Sequence, residues 1–172
     1  HFVLLRDYNQ DGIQDLFAFS DFPGIPGIIA FTGYYDENNR IAFERYETPS
    51  TQDFPVLYFP LDSGLGTPIY VALNDYPSID DIDSDGDLDI LTFNAAGGFM
   101  EYYTNLSVEK GYGTDSLIYE VRDKCWGGFY ESGLQPDVSL STTKGRCFET
   151  ALQIESRHAG STVLSLNLDE DC

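Results

Sequence analysis

The sequence predicts an all-β protein, and three observations carry that prediction. Short segments rich in β-branched and aromatic residues recur along the chain, each bounded by Gly, Pro, Asn or Asp. Aromatic residues make up 15% of the chain, with 12 Tyr, 12 Phe, 16 Gly and 8 Pro, a composition that favours strands and tight turns. No stretch sustains the apolar spacing of a helix.

In chain order the candidate strands are "FVLLRD", "LFAFS", "GIIAFTGYY", "IAFERYE", "VLYFPL", "PIYVAL", "LDILTF", "GFMEYYTN", "LIYEVRD" and "STVLSLNL". The one helix-like stretch, "CFETALQIESR", lacks a second turn of apolar spacing and reads as loop or strand. Many short strands leave a sandwich, a barrel or a propeller as the architecture.

Composition narrows the partners. The 172 residues are 42% hydrophobic, enough to bury a core. Against 9 Lys and Arg stand 29 Asp and Glu, a formal net charge of -20, which disfavours nucleic acid and anionic membrane surfaces and favours a cation. No apolar run approaches the ~20 residues of a membrane-spanning helix. The chain opens on "HFVLLRD" without Met or signal peptide, as expected of a mature or truncated piece.

The acid is concentrated. Asp80, Asp81, Asp83, Asp85, Asp87 and Asp89 fall within "DDIDSDGDLD", which aligns without a gap with "RDYNQDGIQD" near the start. In both, acidic or amide side chains occupy positions one, three, five and nine, Gly occupies position six, and an apolar segment follows. The first set is Asp7, Asn9, Asp11, Gly12 and Asp15; the second is Asp81, Asp83, Asp85, Gly86 and Asp89, a step of 74 residues. "LSLNLDEDC" begins the pattern again with Asn167, Asp169 and Asp171, a step of 86 from Asp81, but Cys172 stands at the Gly position.

Such spacing suits oxygen coordination. Calcium takes 6 to 8 oxygens at about 2.3–2.6 Å, and a Gly at the sixth position allows the sharp bend. Position seven offers its carbonyl, from Ile13 in one loop and Asp87 in the other. Without a cation, each pair among Asp81, Asp83, Asp85 and Asp89 repels by about 1 kcal/mol at 4 Å in water and about 4 at an effective dielectric of 20. An acidic surface serving only solubility would scatter its charge and would not repeat one template. An EF-hand needs a bidentate Glu at position twelve and flanking helices; Ala18 and Thr92 stand there, and strand-like sequence follows.

The pattern resembles the D-x-[DN]-x-D-G-x-x-D-[LI] loop of FG-GAP or VCBS repeats, the blades of integrin-α-like β-propellers. "GGFMEYYTN", "YPSIDDIDSDGDLDI" and "HAGSTVLSLNLDED" look like flanking strands of such repeats, and residues 107–157 match weakly. The resemblance implies four-stranded antiparallel blades with calcium in the loop between the first two strands. It implies one ion on Asp7, Asn9, Asp11, the Ile13 carbonyl and Asp15, and another on Asp81, Asp83, Asp85, the Asp87 carbonyl and Asp89. A partial third site would use Asn167, Asp169 and Asp171. The Asp80 and Asp87 side chains are expected to support the site or face solvent. With Asn9 replacing a carboxylate, the second loop is expected to bind more tightly.

Repeat steps of this size allow about two blades, residues 1–74 and 75–160, with 161–172 starting a third. Propellers close with about 4 to 8 blades, so a piece of a larger propeller is expected, seven-bladed if the resemblance to the integrin-α-like kind extends to blade number. A smaller closed barrel would not account for the broken third loop.

Calcium loops of this type suit an extracellular compartment, where disulfides persist. Cys125 with Cys147 is the preferred bridge, across the weakly matched insert, leaving Cys172 paired elsewhere or free; three unpaired thiols are the alternative. No C-x-x-C occurs and the histidines are His1 and His158, so zinc is disfavoured. "RHAGST", with His158 and Ser161, lacks a nucleophile-elbow pattern. Asn105 heads an "NLS" sequon, and Tyr34, Tyr35, Tyr102 and Tyr103 divide between blade core and a sugar-binding surface.

The expected function is a non-catalytic, secreted or cell-surface adhesion, ligand-binding or spacer module, with a glycan or protein ligand. Similar repeats occur in cargo of the bacterial type IX secretion route. The alternative is the propeller portion of an extracellular polysaccharide- or lipid-processing enzyme whose catalytic groups lie outside these residues.

Overall fold

Twelve strands and one short 3-10 turn, with no α-helix, form from the described residues of this computed structural model, which are 1–20, 22–48, 56–131, 138–143, 146–147 and 162–166. The strands are β1 (Val3–Arg6), β2 (Asp15–Phe19), β3 (Ile28–Tyr35), β4 (Ile41–Arg45), β5 (Tyr58–Pro60) and β6 (Gly66–Pro68) in the first half. The second half holds β7 (Ser78–Asp80), β8 (Asp89–Phe93), β9 (Met100–Asn105), β10 (Tyr119–Asp123), β11 (Phe129–Glu131) and β12 (Val138–Leu140).

They assemble as two four-stranded antiparallel meanders, β1-β2-β3-β4 and β7-β8-β9-β10, with the small hairpins β5-β6 and β11-β12 added. In each meander the acidic loop joins the first strand to the second. Turn chemistry fixes the registers: Asp36 Oδ1 accepts the Asn38 and Arg40 amides at 2.8 and 2.9 Å, with Asn39 at φ 57°, so β3 returns as β4.

One apolar core joins the meanders. Phe17, Ile28 and Ala30 pack with Ile79, Ile90, Tyr103 and Tyr119, and Leu57, Ile69 and Val71 from the intervening segment complete the cluster. The loop alignment places Leu16 and Phe17 opposite Ile90 and Leu91. The Phe17 face of the first sheet therefore meets the Ile90 face of the second, which is not its equivalent. The equivalent face, with Leu91, Phe93, Met100 and Tyr102, forms a separate cluster with Ile82, Phe129 and Val163. The sheets thus stack head to tail. The opposite face of the first sheet leaves Val3, Leu5, Ile41 and Phe43 exposed.

The first strands also meet their successors. Arg6 Nε donates to the Ile79 carbonyl at 2.8 Å, and one repeat later Ser165 Oγ donates to Asp80 Oδ2 at 2.7 Å. Arg6 and Asp80 hold the same repeat position, as do Ile79 and Ser165. Likewise Phe2 lies 6.3 Å from Tyr76 between ring centroids, and Tyr76 bridges Thr162. One step of the repeat is thus used twice.

Two strand expectations are corrected. "PIYVAL" is not a strand beyond its first residue: β6 ends at Pro68, and Ile69 and Val71 are wholly buried in irregular backbone, with Ile69 N–H donating to the Leu57 carbonyl at 3.0 Å. A continuous apolar run reports burial and cannot by itself distinguish strand from buried loop. "STVLSLNL", as far as described, makes the single parallel bridge at Thr162. β11 and β12 fall in the weakly matched stretch, and residues 148–157 of the helix-like segment lie outside the described residues. The Cys125–Cys147 disulfide is present, with Cα atoms 5.5 Å apart; Cys172 lies outside the described residues.

Because both sheets share one core, Phe17→Ala should lower stability by about 3–5 kcal/mol. Unfolding should remain one cooperative transition when followed by far-UV circular dichroism and by tyrosine fluorescence. Two separated transitions would contradict the shared core.

Candidate metal centre

Each acidic loop is built by its own carboxylates accepting backbone N–H groups, and the two loops use one scheme. The position-one Asp accepts from the Gly at position six: Asp7 Oδ2 from Gly12 at 2.9 Å, Asp81 Oδ2 from Gly86 at 3.1 Å. Position five accepts from position seven: Asp11 Oδ1 from Ile13 at 2.7 Å, Asp85 Oδ1 from Asp87 at 3.0 Å. Position nine reaches back to position two, Asp15 to the Tyr8 amide at 2.9 Å and Asp89 to the Ile82 amide at 3.1 Å. It also reaches across to the third strand, Asp15 to the Gly33 amide and Asp89 to the Asn105 amide, both at 2.8 Å.

The bend needs two left-handed residues. Gly12 and Gly86 have φ of 86° and 103°, the position read from sequence. Position four, Gln10 and Ser84, also sits at φ 58° and 65° and carried no sequence signal, since polar residues tolerate this conformation. The loops touch: Gln10 Nε2 donates to the Gly86 carbonyl at 2.8 Å.

In the second loop the carboxylates converge. Asp81, Asp83 and Asp89 offer oxygens all within 4.8 Å of one another, as do Asp83, Asp85 and Glu109. Asp81 Oδ1, Asp85 Oδ2 and Asp87 Oδ1 are buried without a hydrogen-bond partner. A buried anionic oxygen with no donor is costly, and a cation held there would supply what is lacking. The donors are all oxygen, which suits a hard cation and not zinc or copper. The residues fit the group the sequence implies.

Among the described residues the carboxylates of the first loop form no such converging group. Asn9 at position three donates through Nδ2 to Asp11 Oδ2 at 3.1 Å, satisfying an oxygen that its counterpart Asp85 leaves bare. Asn167, Asp169 and Asp171 lie outside the described residues, as do His158 and Ser161.

No family model, curated protein or solved structure matches this chain. Its chemistry must be read from its own geometry.

Glu109 and one bond escaped the sequence reading: Glu109 joins the cluster from the β9–β10 connection, and Tyr102 OH donates to Asp89 Oδ2 at 2.9 Å. The Asp87 side chain, expected to support the site or face solvent, is wholly buried, with Oδ2 accepting from the Val108 amide at 3.0 Å. Asp80 is partly buried, Oδ1 accepting from the Asp81 amide at 3.1 Å. Tyr102 and Tyr103 belong to the core, whereas Tyr34 and Tyr35 are exposed. Asn105 is buried at 1% exposure, its amide donating to the Ser116 carbonyl and accepting from Ile118 N–H, so its nitrogen is not presented for glycosylation.

Burial raises the Asp15 and Asp81 carboxyls above the ordinary range. Burial, then the Asp85, Asp89 and Glu109 charges, pushes Asp87 up to about 7; burial, opposed by the Asn105 and Tyr102 hydrogen bonds, leaves Asp89 at about 6. A folded-state value above the unfolded value means that the native state holds protons the unfolded chain has released. Stability of the chelated protein should therefore fall as pH rises from about 4 through 7. Melting in chelator at about pH 5 and pH 8 should show the lower midpoint at the higher pH. A higher midpoint at pH 8 would contradict this electrostatic picture.

Proposed function

We propose that this chain is a calcium-cemented stretch of β-propeller of the FG-GAP type, acting outside the cell as a non-catalytic binding, adhesion or spacer module. The observation that carries the reading is the paired loop: one scheme of backbone hydrogen bonds, used twice, that leaves carboxylate oxygens buried and bare in the second copy. Loop carboxylates, a carbonyl at position seven and a bend of this size suit calcium, which accepts irregular coordination, better than magnesium, which demands near-octahedral geometry.

The propeller part of the reading draws on stacking. Sheets that meet through non-equivalent faces generate a ring when the rotation closes, and each such sheet presents a fresh apolar face to the next. Val3, Leu5, Ile41 and Phe43 form such a face on the first sheet. The disulfide favours an oxidising compartment. The net charge of -20 opposes nucleic-acid binding and fits a calcium-rich setting. A glycan or protein ligand at the cell surface would complete the function.

Calcium at 100 times its Kd should stabilise the fold by about 2.7 kcal/mol per site, a rise in melting midpoint of about 5–11 °C per site for a chain of this size. Equal midpoints in calcium and in chelator would overturn the reading. In calorimetry, Asp85→Ala should remove the tighter of two binding events and Asp11→Ala the weaker, and the reverse order would overturn the ranking of the loops.

A further inference from the structure

We infer that Glu109, carried on the β9–β10 connection, is an additional carboxylate ligand of the second loop's cation, and that the Asp87 side chain is the positioning residue that holds it there. This rests on the calcium reading of that loop.

Glu109 lies 20 residues beyond the last loop aspartate in sequence, yet its carboxylate comes within 4.8 Å of oxygens of both Asp83 and Asp85. Asp83 also belongs to the group formed with Asp81 and Asp89, so it is the carboxylate that the two groups share. Asp85 Oδ2 is buried with no hydrogen-bond partner, an anionic atom left for a cation.

A second observation is independent of that cluster. The Asp87 carboxylate is wholly buried at 0% exposure, one oxygen accepting the Val108 amide at 3.0 Å and the other without a donor. The charges it faces are Asp85, Asp89 and Glu109. Like charges gathered this way around a buried carboxyl are costly, and a cation held between loop and connection would offset their repulsion.

The tie to Val108 fixes the residue just before Glu109, and turn bonds from Lys110 N–H to the Leu106 carbonyl (3.0 Å) and from Gly111 N–H to the Val108 carbonyl (2.9 Å) hold the connection. Position seven of the first loop is Ile13, which has no carboxylate with which to make such a tie. The second loop is thus equipped with one more acidic ligand than its own nine positions provide.

The test is calcium calorimetry, together with terbium luminescence lifetimes in light and heavy water, in an Asp11→Ala background where the second loop alone binds. Glu109→Gln should weaken binding roughly tenfold and add about one coordinated water to terbium. Glu120→Gln, an exposed glutamate on β10 with the same charge change, should alter neither. Asp87→Ala, which keeps the backbone carbonyl, should weaken binding as Glu109→Gln does, and the double variant should be no weaker than either single one. Unchanged affinity and hydration in Glu109→Gln, with Asp85→Ala still abolishing uptake, would overturn the Glu109 assignment alone. Additive losses would overturn the positioning role of Asp87. Absence of calcium uptake by the wild-type chain would overturn the calcium reading beneath both.

Discussion

Backbone amides gathering carboxylates into a nine-residue bend is the constraint on which the rest of this structure depends. Position one, position five and position nine each spend an oxygen on an N–H of the loop. Those bonds set the curvature and leave the remaining oxygens crowded. In the second loop several are bare and buried, so the fold holds like charges closer than water alone would favour. The first loop relaxes the same design, because an amide at position three can donate where a carboxylate cannot.

Two scales of repetition are joined by this bend. Locally it turns the first strand of a meander into the second. At longer range it places the two loops side by side, with Gln10 reaching the Gly86 carbonyl and Arg6 reaching Ile79. The head-to-tail core then fixes which face each sheet offers to the next. The strand-to-strand step from Arg6–Ile79 to Asp80–Ser165 shows the relation used again.

Much of this was legible in sequence, and the reasons differ by feature. β2, β3, β8 and β9 are dense in aromatic and β-branched residues next to turn formers, so local pattern sufficed. The loop residues were legible because their contacts lie within nine positions of one another. "PIYVAL" was misread because its hydrophobicity reflects burial between sheets, which strand periodicity does not encode. Glu109, and the bond that ties Tyr102 to the loop, were invisible for a related reason: each reaches the loop only after the meander has closed. For the Asp87 side chain local pattern leaves support and solvent exposure both open. Its complete burial depends on the Val108 connection folding over it.

Asp15 and Asp89 have a double address. Each ends an acidic loop, begins the second strand of its sheet, and accepts an amide proton from the third strand, at Gly33 or Asn105. At Gly33 the fit is close enough that an added Cβ would collide with the Gln14 carbonyl oxygen. Loop and sheet are thereby stitched through a single carboxylate. The exchange of two interior amide protons with solvent becomes a gauge of the electrical state of a bend on the surface.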